Sequence, residues 1–257
     1  MKIVLIGAGS ISFGGGQIPD LLQAAELRGR DGRLVLVDTD EAALATMLQL
    51  AERIKAHAGA DQILEATTDR TQALPGADYV ITAVARRRYP LWEQDFRVPL
   101  ALGFRHCLGE NGGPGAVFHT LRSLELIMPI ARDVEHLCPN ALLLNFTNPE
   151  ARVLHAISHL TKVRAAGICH GVFTALEYIA KYTGRPWEEF HIVSAGMNHF
   201  YCLLEVKDKQ TGKDRLPELI EAAVHDEEAP PLFRKMAEIF GVFTFPQLHP
   251  VYFFYLE

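Results

Sequence analysis

The chain begins with a short apolar run that passes directly into a glycine-rich turn. Residues 2–6 form an apolar, β-branched run, Gly7-Ala8-Gly9-Ser10 follows, and an amphipathic stretch extends from Ile18 to about Leu27. A strand, a tight glycine turn and a helix in this order open a parallel β-α-β unit. This order constrains the fold strongly, because it sets both the kind of sheet and the edge at which a ligand binds.

Further apolar runs alternate with helical patterns along the chain. Continuous apolar strands are typical of a parallel sheet that is covered on both faces. We therefore predict an α/β fold, with a Rossmann-type, doubly wound, mostly parallel sheet at 1–170 and part of an α+β substrate domain at 171–257. The apolar runs lie at 34–37, 77–84, 142–146 and 165–168, a helical pattern covers 117–137, a strand at 200–206 enters a more antiparallel region, and a polar turn follows at 207–214.

Composition and charge argue against several classes of function. The 257 residues are 49% hydrophobic and 22% charged, with a net charge of −6, so a general nucleic-acid-binding surface is not expected. No apolar stretch reaches the roughly 20 residues that span a bilayer, and we expect a cytoplasmic protein with no membrane partner. The four cysteines are widely spread and form no CxxC pair, which argues against a disulfide framework.

The glycine turn predicts a dinucleotide site. Gly7 permits the tight turn, and Gly9 lets backbone N–H groups approach a pyrophosphate at a helix N-terminus. Ser10 and Ile11 continue this turn and belong to the predicted site. The usual third glycine is replaced by Ser12. An incomplete glycine pattern is weak evidence by itself, but its place after an N-terminal strand strengthens it.

The end of the second apolar run supports the same site. Asp38 stands where its carboxylate can accept hydrogen bonds from the adenosine ribose and would repel a 2′-phosphate, so NAD is predicted rather than NADP. The alternative is that Asp38 caps the following helix, a role for which Asp40 is also suited. Ala83 and Asn145, near the ends of later strands, are further predicted cofactor contacts. So is Glu110, in the loop Gly109–Gly115, which either closes over the cofactor or sugar or is a flexible connector.

Polar clusters follow three strands, at the edge where such sheets bind ligands. In Asn145-Phe146-Thr147-Asn148-Pro149, the proline biases Asn148 toward extended geometry, so that its amide can bind a substrate hydroxyl. The alternative is a simple Asn-Pro turn. Cys169 and His199 follow the other strands, and together a thiolate and an imidazole can bind a divalent metal. Taken singly, each is more often a buried thiol or a structural histidine, and their separation matches no zinc motif.

Together these motifs resemble glycoside hydrolase family 4, whose members are NAD- and metal-dependent glycosidases. The resemblance covers about residues 1–205. It implies hydrolysis by a redox route. NAD takes a hydride from sugar C3, the ketone acidifies the C2 proton, a base removes that proton, the C1 substituent is eliminated, water adds and the hydride returns. A divalent metal, usually manganese, polarises the C2 and C3 oxygens. The matching segments are Gly-Ala-Gly-Ser at 7–10, Gly-Glu-Asn-Gly-Gly-Pro-Gly at 109–115, Asn-Phe-Thr-Asn-Pro at 145–149, Cys-His-Gly-Val at 169–172 and Gly-Met-Asn-His at 196–199.

The resemblance also implies roles for individual residues. Cys169 and His199 would ligate the metal, Asn148 would hold the C2 and C3 hydroxyls as part of the catalytic site, and Asn198 would contact the sugar. His170 stands where some relatives carry an acidic residue that assists departure of the leaving group. The Cys-His-Gly form resembles relatives that act on unphosphorylated α-glycosides, especially α-glucuronides and α-galacturonides. One of the arginines at 86–88 could meet a substrate carboxylate, or all three are surface charges. Relatives are typically dimers or tetramers.

The C-terminal part departs from the family pattern. Members usually exceed 400 residues and carry a glycine-aspartate segment, with a Tyr or Asp base nearby, soon after a Phe-Gly stretch. Here Phe240-Gly241-Val242-Phe243 is followed by a different sequence, Thr244-Phe245-Pro246-Gln247, and the sequence ends at Glu257. We therefore expect either a C-terminally truncated chain or one whose normal end is replaced by a foreign sequence, and an inactive fragment of such a glycosidase is one of the expectations. Tyr252 and Tyr255 are present, but no motif marks either of them as the base.

Two other functions are compatible with parts of the sequence. A lactate/malate-type 2-hydroxy-acid dehydrogenase shares the opening fold and the Asn-Pro strand end, but it leaves Cys169 and His199 unexplained. A non-catalytic dinucleotide-binding protein would fit the unusual C-terminus. The three functions differ in their products: metal-dependent glycoside cleavage without net NADH, NADH formation from a hydroxy acid, or NAD binding alone.

Overall fold

The computed structural model describes residues 1–28, 32–104, 113–197 and 199–246. The chain divides into two compact units. The first comprises Met1–Leu91 and Phe118–Ile168, and the second comprises Trp92–Val117 and the chain from Cys169 onward. The division at 168 lies two residues from the predicted boundary. The segment 92–117 instead groups with the second unit, and no sequence pattern predicts this, because the segment has no apolar run of its own.

The first unit contains a six-stranded parallel sheet in the order β3-β2-β1-β4-β5-β6. This confirms the predicted α/β, Rossmann-type architecture. The third strand was not predicted, because it lies at an edge and its side chains are only partly buried, so it lacks a continuous apolar run. The strands are β1 (Lys2–Ile6), β2 (Arg33–Val37), β3 (Ile63–Thr67), β4 (Tyr79–Thr82), β5 (Leu142–Asn145) and β6 (Arg164–Gly167).

Successive residues of the central strands fill two separate cores, one on each face of the sheet. Val4 and Ile6 of β1 pack into one cluster, whereas Ile3 and Leu5 pack into the other. Side chains alternate in direction along a strand, so a strand that is covered on both faces must be apolar at every position. This double burial explains why the central strands are uninterrupted apolar runs.

Helices connect the strands and supply the outer layers. Asp40 begins α2, where its Oδ1 accepts the Ala43 N–H at 3.0 Å, and Gly59 ends the helix in a left-handed conformation. The predicted capping role of Asp40 is therefore confirmed. The helices are α1 (Gly14–Gln23), α2 (Glu41–Ala58), α3 (Arg70–Ala73), α4 (Arg88–Ala101), α5 (Gly113–Leu137), α6 (Glu150–Leu160), α7 (Gly171–Thr183), α8 (Leu216–His225) and α9 (Pro231–Phe240).

The second unit is built around an antiparallel pair, β7 (Phe190–Met197) and β8 (Phe200–Asp208). On the other edge of β8, Cys202 forms a bridge with Thr244. A core that includes Leu203, Phe233 and Phe243 joins this pair to α7, α8 and α9. The α+β character predicted for this region is confirmed, and the predicted polar turn is closed by a bridge between Lys207 and Asp214. Among the described residues, no helix is long and apolar enough to span a membrane.

Candidate functional site

The first unit contains a cavity at the carboxyl ends of its parallel strands. Its volume is about 740 Å³, within the range of small-molecule sites. Of the residues predicted from the sequence to bind cofactor or substrate, seven line this cavity. They are Gly7, Gly9, Ser10, Ile11, Asp38, Ala83 and Asn148. The strand order brings them together, because the turn after β1 lies between the ends of β2 and β4.

The glycine turn is shaped by close backbone contacts. A Cβ on Gly7 would lie 2.2 Å from the Ala83 carbonyl oxygen, and a Cβ on Gly14 would lie 2.2 Å from the Ala8 carbonyl oxygen. Gly14 therefore permits the close packing of helix against turn that the third glycine of the pattern usually provides. The usual spacing predicts this glycine at position 12, where the chain has Ser12. The run Gly14-Gly15-Gly16 is the sequence feature that could have indicated Gly14 instead.

Asp38 is held beside the turn by both carboxylate oxygens. Its Oδ2 accepts the Gly9 N–H at 2.8 Å, and its Oδ1 accepts the Asp40 N–H at 3.0 Å. A Cβ on Gly9 would lie 2.8 Å from Oδ2, so this contact requires glycine. Asp40 caps α2, and the alternative that Asp38 is the cap does not hold. Each carboxylate oxygen can accept a second hydrogen bond, so Asp38 keeps acceptor capacity toward the cavity.

Asn145 was predicted to contact the cofactor, but its side chain lies inside the sheet. Its side chain is fully buried and does not line the cavity. Its amide nitrogen donates to the Thr147 carbonyl oxygen at 3.0 Å, and its amide oxygen accepts the Thr82 hydroxyl at 3.2 Å. Thr147 in turn accepts the Val84 N–H at 3.0 Å. The Asn145 side chain thus ties β4 to β5 inside the sheet, and its predicted contact with the cofactor stays a prediction.

Asn148 is anchored through its backbone. The Ser123 hydroxyl, on α5, donates to the Asn148 carbonyl oxygen at 2.6 Å, and Ser123 is buried. Asn148 joins Pro149 through a cis peptide bond. The hydrogen bond from Ser123 thus holds the backbone of a residue that lines the cavity. Sequence reasoning missed Ser123, since nothing in the pattern of α5 distinguishes it from a surface serine.

Several basic side chains also lie at this cavity. Arg88 and His119 line it, as does Arg70, whose guanidinium pairs with Asp133 at 2.7 Å. Of the predicted arginine run, Arg86 pairs with Glu125 at 3.0 Å. The run therefore divides, with Arg88 at the cavity and Arg86 engaged in an exposed ion pair. No sequence pattern distinguishes Arg70 or His119 from other basic residues.

In the second unit, the structure brings Cys169 and His199 together. The Cys169 Sγ lies 3.5 Å from the His199 Nε2, and it accepts the Gly171 N–H at 3.4 Å. Cys169 immediately precedes α7, and His199 occupies the turn between β7 and β8 with a φ of 58°. Residues that are thirty positions apart in the sequence thus meet through the packing of α7 against this turn. Their contact could not be derived from spacing.

The pair fits a divalent cation as a partial ligand set. A thiolate and an imidazole nitrogen are suitable donors, and a Cβ on Gly171 would lie 3.5 Å from both donor atoms, so the glycine keeps the space beside them open. In the described part of the chain, no cluster of three or more His, Cys, Asp or Glu side chains could hold a metal. The pair would therefore supply two ligands and leave the other positions open. His170 lies exposed at the start of α7.

A tyrosine lies near this pair. The Tyr201 hydroxyl is buried and has no hydrogen-bond partner among the residues that the structure describes. Burial, with a smaller contribution from the nearby charge of Cys169, raises the pKa of Tyr201 to about 12. The rings of Tyr201 and His199 both contact Phe245, with centroids 5.5 Å and 4.9 Å away. Sequence reasoning did not select Tyr201.

Some predicted residues lie outside the described ranges. They are Glu110, Asn198, Tyr252 and Tyr255, together with the first part of the glycine-rich loop. Residues 113–115 of that loop form the start of α5.

Comparison with known proteins places these features in a family. The model of the family described as "Family 4 glycosyl hydrolase" matches residues 2–184. An α-glucosidase from Erwinia rhapontici is 34% identical over 215 residues, which are 83% of this chain and 47% of that enzyme. An α-galactosidase from Rhizobium meliloti is 33% identical over 253 residues, which are 95% of this chain and 50% of that enzyme. The chain thus spans about half the length of the curated relatives it matches.

Solved structures share the fold. A 6-phospho-α-glucosidase from gut microorganisms, solved in complex with NAD and Mn²⁺, superposes with a TM-score of 0.81 at 23% identity, covering 99% of this chain and 60% of that one. A lactate dehydrogenase from Eimeria maxima is a more distant neighbour, with a TM-score of 0.60 at 16% identity, covering 92% of this chain and 65% of that one. The match of the family model over most of the chain decides between the two groups. The chain belongs to family 4 of the glycosyl hydrolases.

Proposed function

We propose that this chain carries the nucleotide and metal sites of an enzyme that hydrolyses O-glycosidic bonds with NAD and a divalent cation. The observation that carries the proposal is the 3.5 Å contact between the Cys169 Sγ and the His199 Nε2. A hydroxy-acid dehydrogenase gives no reason for a thiol and an imidazole to meet in this way. The relative solved with NAD and Mn²⁺ supports the same cofactor pair.

The first unit would hold the nucleotide. Gly7 and Gly9 let the backbone approach a pyrophosphate, and Ser10 and Ile11 extend the same wall of the cavity. Asp38 would accept a ribose hydroxyl with its remaining lone pairs, and its negative charge would disfavour the 2′-phosphate of NADP. Glu110 remains a predicted contact from the glycine-rich loop.

In the first unit, Asn148 is the proposed sugar contact. Asn148 presents an amide that can both donate to and accept from vicinal hydroxyls, and Ser123 fixes the backbone that carries it. Cys169 and His199 would bind the cation, for which we propose Mn²⁺. When bound, NAD supplies reversible oxidation at C3 and the cation supplies Lewis acidity at the neighbouring oxygens. His170 and Asn198 remain predicted substrate contacts, His170 as a group that assists the leaving group.

The substrate class follows from the motif after β6. The sequence Cys169-His170-Gly171 supports an unphosphorylated α-glycoside, with α-glucuronides and α-galacturonides as the first candidates. Arg88 is the basic residue of the predicted run that could meet a carboxylate at the cavity. An α-galacturonidase from Thermoanaerobacter italicus, 28% identical over 221 residues, is among the relatives. We further propose a cytoplasmic protein that assembles as a dimer or tetramer.

The test is a panel of nitrophenyl α- and β-glycosides, including uronides, assayed with NAD, Mn²⁺ and a thiol reductant. We expect nitrophenol release from an α-glycoside without net NADH, and its loss when a chelator is added. NADH formation from lactate or malate would instead identify a dehydrogenase. NAD binding with neither reaction would favour a non-catalytic nucleotide-binding protein.

A further inference from the structure

The buried hydroxyl of Tyr201 makes no hydrogen bond within the described structure. A phenol that is removed from water without a hydrogen bond destabilises the fold, and such groups are rare in native proteins. Tyr182, in the same apolar cluster, shows the usual solution, because its hydroxyl donates to Asp226 at 2.8 Å. Among the residues that the structure describes, Tyr201 has no counterpart to Asp226. The orphaned hydroxyl therefore indicates a ligand.

The backbone places Tyr201 beside the Cys169–His199 pair. Tyr201 pairs with Gly196 across the β7–β8 ladder. A Cβ on Gly196 would lie 2.5 Å from the Tyr201 Cα and 2.8 Å from its Cβ, so glycine allows the strands to approach closely here. The Phe245 ring contacts both Tyr201 and His199 and thus lies against both side chains. These contacts hold the tyrosine against the same ring that His199 contacts.

A chain of direct contacts leads from the sulfur to the tyrosine. The Cys169 Sγ is in contact with the Gly171 N–H and with the His199 Nε2. The His199 ring lies 4.9 Å from the Phe245 ring, which in turn lies 5.5 Å from the Tyr201 ring.

We infer that Tyr201 is a positioning residue of the metal centre, whose hydroxyl donates a hydrogen bond to an oxygen ligand of the cation held by Cys169 and His199. That oxygen belongs to a water molecule or, in the working enzyme, to a substrate hydroxyl. The inference rests on the proposed function, because it requires that the pair binds a metal. Hydrogen bonds to metal ligands orient them and commonly change metal affinity by 10- to 100-fold.

A Tyr201→Phe substitution separates this role from a purely structural one. It should leave the free energy of unfolding without metal equal or higher, while it weakens the binding of Mn²⁺. Without metal, removal of an orphaned buried hydroxyl leaves the fold equally or more stable. With metal, the same removal deletes a hydrogen bond to the ligand shell. Phenylalanine keeps the ring and its contact with Phe245, so folding is preserved.

The experiment titrates MnCl₂ alone into the full chain under reducing conditions, by calorimetry, and measures the melting temperature with EDTA and with Mn²⁺. For Tyr201→Phe we expect roughly tenfold weaker Mn²⁺ binding, an unchanged or higher melting temperature in EDTA, and a smaller rise on adding Mn²⁺. Tyr178→Phe is the matched control, because Tyr178 packs against the same apolar cluster but makes no contact with Phe245. It should bind Mn²⁺ as the unmodified chain does.

The outcomes distinguish the inference from the function on which it rests. If Tyr201→Phe binds Mn²⁺ within twofold of the unmodified chain, the positioning role is wrong while the metal site stands. If the unmodified chain binds no Mn²⁺, or if Cys169→Ser binds it equally well, the metal site itself is wrong and the inference falls with it.

Discussion

Gly9 and Asp38 depend on each other at the scale of single residues. The carboxylate can accept the Gly9 N–H only because no side chain intervenes, since a Cβ would lie 2.8 Å from its Oδ2 and 3.0 Å from the Ala43 Cβ. The interaction orients the acid toward the cavity and fixes the turn at the same time. Sequence patterns treat the glycine and the acid as two separate signs of a nucleotide site. In the structure, Gly9 and Asp38 form one interacting pair.

Gly9→Ala should therefore damage the nucleotide site. The added methyl group must push Asp38 or the turn aside, which removes the fit to a pyrophosphate and a ribose together. We expect NAD affinity to fall by about tenfold or more, corresponding to at least about 1.4 kcal/mol, as measured by calorimetric titration with NAD.

Gly15→Ala is the matched control for that change. Gly15 lies one residue into α1, and a Cβ there would meet nothing within 4 Å. Alanine should stabilise the helix by roughly 0.5–1 kcal/mol and leave NAD affinity unchanged. Equal NAD affinities for both variants would contradict the role assigned to the turn.

At the scale of elements, the hydrogen bond from α5 to the loop after β5 determines where Asn148 lies. Ser123→Ala removes the donor to the Asn148 carbonyl oxygen, in a partly buried hydrogen bond. We expect a loss of about 0.5–1.5 kcal/mol in the free energy of unfolding and, in the active enzyme, a rise in KM for the glycoside with NAD affinity little changed. Ser158→Ala is the control, because that hydroxyl bonds only to its own helix at the Leu154 carbonyl oxygen. If both variants behave alike, Ser123 has no special function.

A carboxylate joins two elements of the second unit. Asp208, at the end of β8, pairs with Arg185 beyond α7 and accepts the N–H groups of Gln210 and Thr211 at 2.9 Å each. The Arg185 guanidinium has the largest effect on Asp208, and these N–H groups add to it. Together they hold the pKa of Asp208 well below its usual range. A carboxyl group with a lowered native pKa stabilises the fold above its unfolded pKa of about 3.9, and this contribution is lost as the pH falls toward the native pKa.

Asp208→Asn should accordingly lower the free energy of unfolding at pH 7, and the difference from the unmodified chain should shrink as the pH is lowered below about 4. Urea denaturation at a series of pH values measures this difference. Glu227→Gln, an exposed carboxylate of the same unit, should show no such dependence. A difference for Asp208→Asn that stays constant down to pH 3 would rule out the ion pair as its cause.

The elements also show which physical signals a sequence carries. The strands buried on both faces, such as β1 and β2, are predictable because every position must be apolar. The edge strand β3 was missed because its partly buried residues need not be apolar. Gly14 was missed for a similar reason, since its function depends on the Ala8 carbonyl oxygen, a contact that the fold creates and the local pattern does not encode.

At the scale of the whole molecule, sequence patterns do not show which residues that are distant along the chain meet in the folded structure. Cys169 and His199 could be proposed as partners only through a resemblance, because thirty residues separate them and no spacing rule applies. Tyr201 and Ser123 were not proposed at all, since a buried orphaned phenol and a buried serine donor are properties of packing. The nucleotide turn was predictable because strand, glycine turn and acid are each local signals.

The proposed nucleotide and metal sites belong to different units, and this division predicts independent losses of function. The residues that line the cavity all belong to the first unit, whereas Cys169 and His199 belong to the second. Cys169→Ser replaces a soft sulfur donor by a weakly coordinating hydroxyl, so Mn²⁺ affinity should fall by about tenfold or more while NAD affinity stays within about twofold. Calorimetric titrations with each ligand measure both values on the same preparation.

Cys202→Ser is the control for that measurement, because Cys202 is another thiol of the second unit that is free of disulfides. It should retain both affinities. Parallel loss of NAD and Mn²⁺ binding in Cys169→Ser would mean that the cysteine supports the fold as a whole. Loss of Mn²⁺ binding alone would identify the sulfur as a ligand of the cation, because loss of a thiol that only fills a core should not weaken Mn²⁺ binding selectively.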